Sequence, residues 1–154
     1  MIRVLFVCLG NICRSPMAEA VFQQFVKEAG LETEIEVDSA GTSSWHVGEL
    51  AHPETRKILA KNGISYGGTA RSLDRAELSD DRIYIVAMDE SNVRQIRSMT
   101  KKHDRVFRLL EFSIQTAVRD VPDPYYNGDF EAVYSLVEDG CRGLLKAIRD
   151  WEGI

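Results

Sequence analysis

Short apolar runs alternate along this chain with segments whose apolar residues recur every three or four positions. The runs are typical of buried β-strands and lie at residues 4–7, 34–37, 83–88 and 106–110. The segments with helical spacing begin near Pro16, Pro53, Ser91 and Phe130. Since strands and helices alternate with short connections, we predict an α/β fold: a single-domain, three-layer fold whose four-stranded parallel sheet carries helices on both faces.

The longest periodic segment closes the chain. Its apolar residues repeat at three and four between residues 130 and 151, which predicts a long amphipathic helix. Before it, Pro122 and Pro124 stand two positions apart, and we expect this spacing to prevent any regular element there.

One loop carries most of the candidate chemistry. In parallel α/β folds, ligands bind beyond the carboxyl ends of the strands, where the loops at residues 9–15, 39–45 and 89–92 are predicted to open. The loop after the first strand reads Cys8-Leu9-Gly10-Asn11-Ile12-Cys13-Arg14-Ser15. Residues 8–15 are called the cysteine loop below.

The cysteine loop joins a buried strand to the start of a helix, and we expect it to turn through Gly10. Such a loop directs backbone N–H groups at one point, which binds an oxyanion and favours a thiolate. Arg14 adds a two-pronged donor whose place in a first helical turn is unfavourable unless an anion offsets it. These features favour a nucleophilic Cys8 over a buried core cysteine. Ser15 is either a helix cap or a donor to the Cys8 thiolate.

The reaction also needs a proton donor for its leaving group. Asp123, fixed between two prolines, is the favoured general acid, and the alternative is an ordinary turn residue. Asp89 is the second candidate, although it fits a helix cap equally well. Trp45 and Tyr125 are expected to form aromatic walls at the mouth of the site, or else to lie in the core.

The cysteines do not predict a metal site. Structural zinc needs four ligands, and no second paired spacing accompanies Cys13. A reversible disulfide between Cys8 and Cys13 would protect the nucleophile from over-oxidation. Cys141 lies on the apolar stripe of the last helix and is expected in the core. The chain has neither a lysine-bearing phosphate loop nor G-x-G-x-x-G, so we expect no nucleotide and no cofactor.

Composition limits the partners. The 154 residues are most simply one domain, residues 1–154, and the net charge of −5 argues against nucleic-acid or anionic-membrane binding. The first apolar run is too short for a signal-peptide core or a membrane span, so we expect neither. Three cysteines, an odd count, favour a reducing cytoplasm.

These motifs together resemble the low-molecular-weight protein tyrosine phosphatase family, nearly end to end. The cysteine loop fits the family's C-x5-R-S signature, including its Gly-Asn-Ile-Cys interior. Three further segments match in order, namely Asp38-Ser39-Ala40-Gly41-Thr42, Met88-Asp89-Glu90-Ser91-Asn92 and Asp123-Pro124-Tyr125-Tyr126. C-x5-R alone is shared by unrelated phosphatases, whereas its combination with a late Asp-Pro-Tyr-Tyr is highly specific.

The resemblance implies that Cys8 attacks phosphorus, Arg14 holds the equatorial oxygens, and Asp123 protonates the leaving phenol. Asp123 would then activate the water that hydrolyses the phosphocysteine. The substrate would be a phosphotyrosine-containing protein or an aryl phosphate, and inorganic phosphate would be a product. The other residues implied to contact substrate are Leu9, Gly10, Asn11, Ile12, Cys13, Ser15, Trp45 and Tyr125.

The resemblance also implies that Asn11 and Ser39 brace the cysteine loop. One departure concerns this support. Many members carry histidine two residues before the Ala-Arg pair that matches Ala70-Arg71, and Gly68 stands there instead. We therefore expect an altered network behind the loop and an altered environment of Ser15.

Two rival functions are weaker. An arsenate reductase of the same fold would need a late cysteine pair, but only Cys141 follows Cys13. A phosphotyrosine-binding module without turnover would lack the nucleophile or the acid, and both Cys8 and Asp123 are present. Phosphoarginine is another substrate class, but the bulkier Ile12 at the selecting position favours phosphotyrosine.

Overall fold

A four-stranded parallel sheet forms the centre of the computed structural model, which describes residues 1–154. Its order is β2-β1-β3-β4, and all three pairings are parallel. The strands are β1 (Ile2–Cys8), β2 (Ile35–Gly41), β3 (Tyr84–Ala87) and β4 (Val106–Arg108). The predicted α/β fold with a four-stranded parallel sheet is confirmed.

Helices cover both faces of this sheet. They are α1 (Arg14–Glu28), α2 (Pro53–Lys61), α3 (Arg75–Leu78), α4 (Glu90–Met99), α5 (Pro124–Asn127) and α6 (Phe130–Glu152). Side chains of β1 alternate between the faces because successive strand residues point in opposite directions. Phe6 therefore belongs to the large core cluster that includes α1 and α6 residues. Val7 belongs to a smaller cluster that includes Leu78 of α3 and Ile96 of α4.

The closing helix α6 is present as predicted. The Asp129 side chain caps its start by accepting from the Ala132 N–H, and Gly153 ends it with a left-handed φ of 68°. Its buried stripe packs against α1, and it includes the fully buried Cys141, as expected. No helix combines the length and apolar character needed to cross a bilayer.

All four strands differ from their predicted ranges by one to four residues at one end or both, and the ends of β2 and β4 have clear causes. β2 continues to Gly41, because residues 38–41 keep pairing in register with β1 up to Cys8. Ser39 thus lies within a strand and not in a loop. β4 ends at Arg108, since the next residues form a 3₁₀ turn, Leu109–Phe112, that packs against α6.

The expectation that two prolines prevent a regular element before α6 was wrong. The short helix α5 begins at Pro124, which needs no hydrogen-bond acceptor at a first helical position. The Asp123 side chain caps this helix by accepting from the Tyr125 N–H at 3.0 Å. The rigid backbone around Asp123 is therefore a helix start, and it fixes that carboxyl group beside the carboxyl end of the sheet.

Candidate active site

A cavity of about 260 Å³ lies beside the carboxyl end of β1. It is lined by Cys8, Leu9, Gly10, Ile12, Cys13, Arg14, Trp45, His46, Asp123, Tyr125 and Tyr126. The structure thus brings the three predicted catalytic residues, Cys8, Arg14 and Asp123, to one cavity. Of the other predicted residues, Asn11, Ser15 and Ser39 lie behind the cavity, not on its wall.

The cysteine loop leaves its backbone N–H groups free. The backbone carbonyls of Cys8, Leu9 and Ile12 accept hydrogen bonds of 2.7–3.0 Å from the backbone N–H groups of residues 42, 43 and 52, respectively. By contrast, no backbone N–H of residues 9–13 donates a hydrogen bond within the protein. The start of α1 also has no side-chain cap. Free donors concentrated in one loop are the means by which proteins bind an oxyanion.

The tight turn of the cysteine loop is at Asn11, whose φ of 57° is left-handed, and not at Gly10 as expected. Asn tolerates this conformation better than most residues with a side chain. Gly10 makes room for a close contact: a Cβ there would lie 3.0 Å from Cδ2 of His46 and would push the ring away. The small residue lets the His46 imidazole pack onto the loop.

The Cys8 sulfur lies at 3.0 Å from the hydroxyl oxygen of Ser15. Ser15 is a residue of α1, whose cap position is Cys13, so of the two alternatives for Ser15 the helix cap was wrong. The hydroxyl of Ser15 accepts from the side-chain amide of Asn11 at 2.7 Å. That leaves its own proton to point towards Cys8, which stabilises a thiolate at the floor of the cavity.

The Arg14 guanidinium is buried, with 3% of the residue exposed, and two acceptors hold one of its nitrogens. Nη1 donates to Asp89 at 2.5 Å and to the Val121 carbonyl at 2.9 Å. Burial acts to lower the pKa of Arg14, but the nearby Cys8 and the hydrogen bond to Asp89 outweigh it and raise that pKa. Nε makes no hydrogen bond within the protein, and Nη2 has only a 3.5 Å contact with Asp123. These two nitrogens are available for an anion.

The two candidate acids differ in what their carboxylates already bind. Asp89 uses both oxygens at short range, one for Arg14 and one to cap α4 by accepting from the Asn92 N–H at 2.8 Å. Asp123 uses Oδ1 to cap α5, and its Oδ2 has only the long contact with Arg14. Asp123 also lines the cavity, whereas Asp89 does not. Position and free capacity both favour Asp123 as the proton donor.

Aromatic side chains surround the mouth of the cavity. Trp45 is 71% exposed and Tyr125 is 53% exposed, so the alternative that they belong to the core was wrong. Sequence reasoning did not place His46 and Tyr126 on the wall, although each is adjacent to a predicted wall residue. A planar, largely apolar group would fit between these rings.

The second loop cysteine is chemically unlike a nucleophile. Burial, together with the nearby Cys8 and Asp123, raises the pKa of the Cys13 thiol to about 12. All three cysteines are free thiols in the structure. No three His, Cys, Asp or Glu side chains are grouped closely enough to hold a metal ion.

A network that the sequence did not reveal lies behind the cysteine loop. Asn11 donates to Ser39 at 3.0 Å, and the Ser39 hydroxyl donates to the Glu19 carboxylate at 2.5 Å. The same Glu19 oxygen accepts from the Tyr66 hydroxyl at 2.8 Å. Only Asn11 and Ser39 of this group were predicted, because their partners are distant in sequence.

Comparison with known proteins agrees with this geometry. The family model for low molecular weight phosphotyrosine protein phosphatase matches residues 3–152. The chain is 49% identical over 152 residues to the low molecular weight protein-tyrosine-phosphatase YfkJ of Bacillus subtilis, covering 97% of each. It is 48% identical over 149 residues to PtpA of Staphylococcus aureus, with 96% of this chain and 94% of PtpA covered.

Solved structures give the same result. The crystal structure of YfkJ matches with a TM-score of 0.93 at 48% identity, covering 97% of this chain and 96% of YfkJ. A protein tyrosine phosphatase from Entamoeba histolytica matches with a TM-score of 0.90 at 34% identity, and 99% of both chains is covered.

Proposed function

This chain belongs to the low molecular weight phosphotyrosine protein phosphatase family, and on that premise we propose that Cys8, Arg14 and Asp123 divide its chemistry. Cys8 is the nucleophile, Arg14 the phosphate clamp, and Asp123 the general acid and base. The observation that carries this assignment is the set of free N–H groups of residues 9–13, in the loop that directly follows Cys8. A phosphoryl group placed there meets the nucleophile and its charge-stabilising donors at once.

In the first half-reaction the Cys8 thiolate attacks phosphorus, and a sulfur–phosphorus bond forms as the phosphorus–oxygen bond to the phenol breaks. The proton of Asp123 passes to the departing oxygen. The free Nε and Nη2 of Arg14, together with the loop amides, stabilise the charge on the equatorial oxygens. Ser15 donates to the sulfur throughout, which makes Cys8 a better leaving group later.

In the second half-reaction water attacks the phosphocysteine and the Asp123 carboxylate accepts its proton. The sulfur–phosphorus bond breaks, inorganic phosphate leaves, and the Cys8 thiolate is restored. The same residue therefore alternates between acid and base, as a reaction through a covalent intermediate requires.

The substrates of this enzyme are phosphotyrosine proteins, and we propose that phosphotyrosine is preferred to phosphoarginine. Ile12 lines the cavity, and the exposed rings of Trp45 and Tyr125 flank it, which suits a flat aryl group. We further propose that residues 1–154 form one phosphatase domain working in the cytoplasm, where the three free thiols remain reduced.

Replacement of the nucleophile tests the assignment. Cys8→Ser should abolish phosphate release from a phosphotyrosine peptide while vanadate still binds, because the loop amides and Arg14 remain. The parent enzyme, quenched in acid during turnover, should carry one phosphoryl group on Cys8 by mass spectrometry.

Cys141→Ala, a change in the core away from the cavity, is the matched control and should keep turnover. Activity retained by Cys8→Ser, or a phosphoryl group on another residue, would refute the assignment. Faster release from phosphoarginine than from phosphotyrosine would refute the substrate preference alone.

A further inference from the structure

A continuous line of hydrogen bonds joins the Cys8 sulfur to a carboxylate on the far side of the cysteine loop. From the sulfur it passes to Ser15 at 3.0 Å, to Asn11 at 2.7 Å, to Ser39 at 3.0 Å and to Glu19 at 2.5 Å. All the linking residues are at least 97% buried, so water does not compete for these groups. The line ends at Glu19, where the Tyr66 hydroxyl is a second donor at 2.8 Å.

The protons in this line point outward from Asn11 towards both ends, and the Asn11 amide is oriented because its Oδ1 accepts from the Arg71 N–H at 3.0 Å. The Asn11 amide group has two hydrogens and gives one to Ser15 and one to Ser39. Each serine oxygen accepts from Asn11, so each serine must direct its own proton elsewhere. For Ser39 the acceptor is the Glu19 carboxylate, and for Ser15 it is the Cys8 sulfur. A carboxylate beside Ser39 thus takes the Ser39 proton and leaves the Ser39 oxygen to accept from Asn11, which helps to hold Asn11 in the orientation that also donates to Ser15.

Glu19 depends on its donors to remain a carboxylate. Burial raises the pKa of Glu19 above its usual value, and the hydrogen bonds from Ser39 and Tyr66 offset only part of that rise, while the nearby Asp38 raises this pKa and Arg71 lowers it. Arg71 itself is paired with Asp38 at 2.8 Å. Tyr66 therefore contributes by keeping the terminal acceptor charged.

The local sequence makes room for this arrangement. A Cβ at Gly68 would lie 2.5 Å from the Tyr66 hydroxyl oxygen, so only glycine there lets the phenol reach Glu19. Gly68 is also the position at which many family members carry histidine. In this chain the Tyr66 hydroxyl occupies the space next to Gly68.

We propose that Glu19 and Tyr66 are positioning residues of the phosphatase reaction. They keep the Ser39 proton directed at Glu19 and so help to hold the Asn11 amide in the orientation in which Ser15 accepts from Asn11 and donates to the Cys8 sulfur. The proposal rests on the nucleophilic role of Cys8 argued above. According to this proposal, Tyr66 supports the cysteine loop, and Gly68 leaves the space that the Tyr66 side chain needs.

Glu19→Gln tests the proposal through the direction in which the pH midpoint of Cys8 alkylation changes. The glutamine keeps the shape, but its amide can donate to Ser39, whose own proton then turns towards Asn11 and weakens the hold on the Asn11 amide and on Ser15. The pH midpoint of alkylation of the Cys8 thiol by iodoacetate should then rise by about one unit, and kcat should fall about tenfold. Simple loss of a negative charge would act oppositely and lower the midpoint, because it favours a thiolate. A midpoint that falls or stays unchanged would overturn the proposal.

Tyr66→Phe tests the second donor without changing charge. It should raise the same midpoint by a smaller amount and lower kcat about threefold, because one of two donors is lost. Tyr84→Phe is the matched control, since the Tyr84 hydroxyl donates to Glu152 at 2.6 Å far from the site. Equal effects of the two tyrosine changes would mean that Tyr66 has only a structural role.

Rescue separates positioning from stability. Tyr66→Ala should impair kcat, and Tyr66→Ala combined with Gly68→His should recover part of it, because an imidazole N–H can enter the cleared space. Loss of thermal stability with an unchanged alkylation midpoint would overturn the proposal. Failure of the nucleophile assignment is distinguishable, because it would show as activity in Cys8→Ser.

Discussion

Replacement of Asp123 by asparagine removes a proton donor and little else. The carboxylate has two separate tasks in the structure: Oδ1 caps α5 through the Tyr125 N–H, and Oδ2 faces the cavity near Arg14. Asparagine caps a helix about as well as aspartate, so the change should alter stability by only a few tenths of a kcal/mol. The Asp123→Asn variant should therefore fold as the parent does.

The effect on rate should be much larger. A leaving phenol has a pKa of about 10, so its oxygen needs a proton in the transition state. Loss of general acid catalysis costs about 10²–10⁴-fold in rate, which corresponds to about 3–5 kcal/mol of activation free energy. This is about ten times the expected change in stability, so a lost helix cap cannot account for it.

The decisive measurement is kcat/KM for a series of aryl phosphates whose phenols differ in acidity. The rates of Asp123→Asn should fall steeply as the phenol becomes less acidic, while those of the parent should vary little. Asp129→Asn is the matched control, because Asp129 also caps a helix with its side chain but lies outside the cavity wall. Identical slopes for parent and Asp123→Asn would refute the assignment and make Asp89 the next candidate.

Three further predictions concern the loop and the core. Arg14→Lys keeps the positive charge but loses the two-pronged hydrogen bonding of the guanidinium, so kcat for aryl phosphates should fall about 10²–10³-fold. A loss below tenfold would contradict the proposed role of Arg14 in binding phosphate. Mild peroxide should form a reversible disulfide between Cys8 and Cys13. Formation of this disulfide should become faster as the pH rises, because the pKa of the Cys13 thiol is about 12. Mass spectrometry that finds sulfinic acid on Cys8 and a free Cys13 thiol would count against this prediction. Gly143→Ala should lower the free energy of unfolding by about 3 kcal/mol or more, because a Cβ there would overlap the Phe112 carbonyl. The higher helix propensity of alanine offsets only about 1 kcal/mol of this loss. An unchanged midpoint in urea unfolding would show that the contact relaxes.

The parts of the fold that were predictable are those with a strong local pattern. The buried run of β1 and the long stripe of α6 each repeat their period often enough to define an element. The four-residue helices α3 and α5 were missed because one helical turn has no period to detect. Their signals are caps: Asp74 accepts from the Ala76 N–H, and Asp123 accepts from the Tyr125 N–H.

In the candidate site, too, the residues that could be predicted are those with a local sequence pattern. The cysteine loop is contiguous, so a candidate nucleophile and a candidate phosphate-binding arginine could be proposed from eight neighbouring residues. The Glu19 and Tyr66 side chains meet across 47 positions, and only the folded chain brings them together. The proposal of Asp123 and not Asp89 as the acid also rests on contacts, because both residues follow plausible capping patterns.

The charges around Cys8 link acid catalysis to substrate binding. The thiolate, Asp89 and Asp123 bring up to three negative charges around the single positive charge of Arg14, in a chain whose net charge is already −5. A phosphate dianion is therefore not attracted by formal charge, and the free loop amides and the start of α1 must supply the positive potential. A proton on Asp123 removes one of the three opposing charges at 3.5 Å from Arg14. The protonated form that can release a phenol is thus also the form that receives the phosphate with least repulsion.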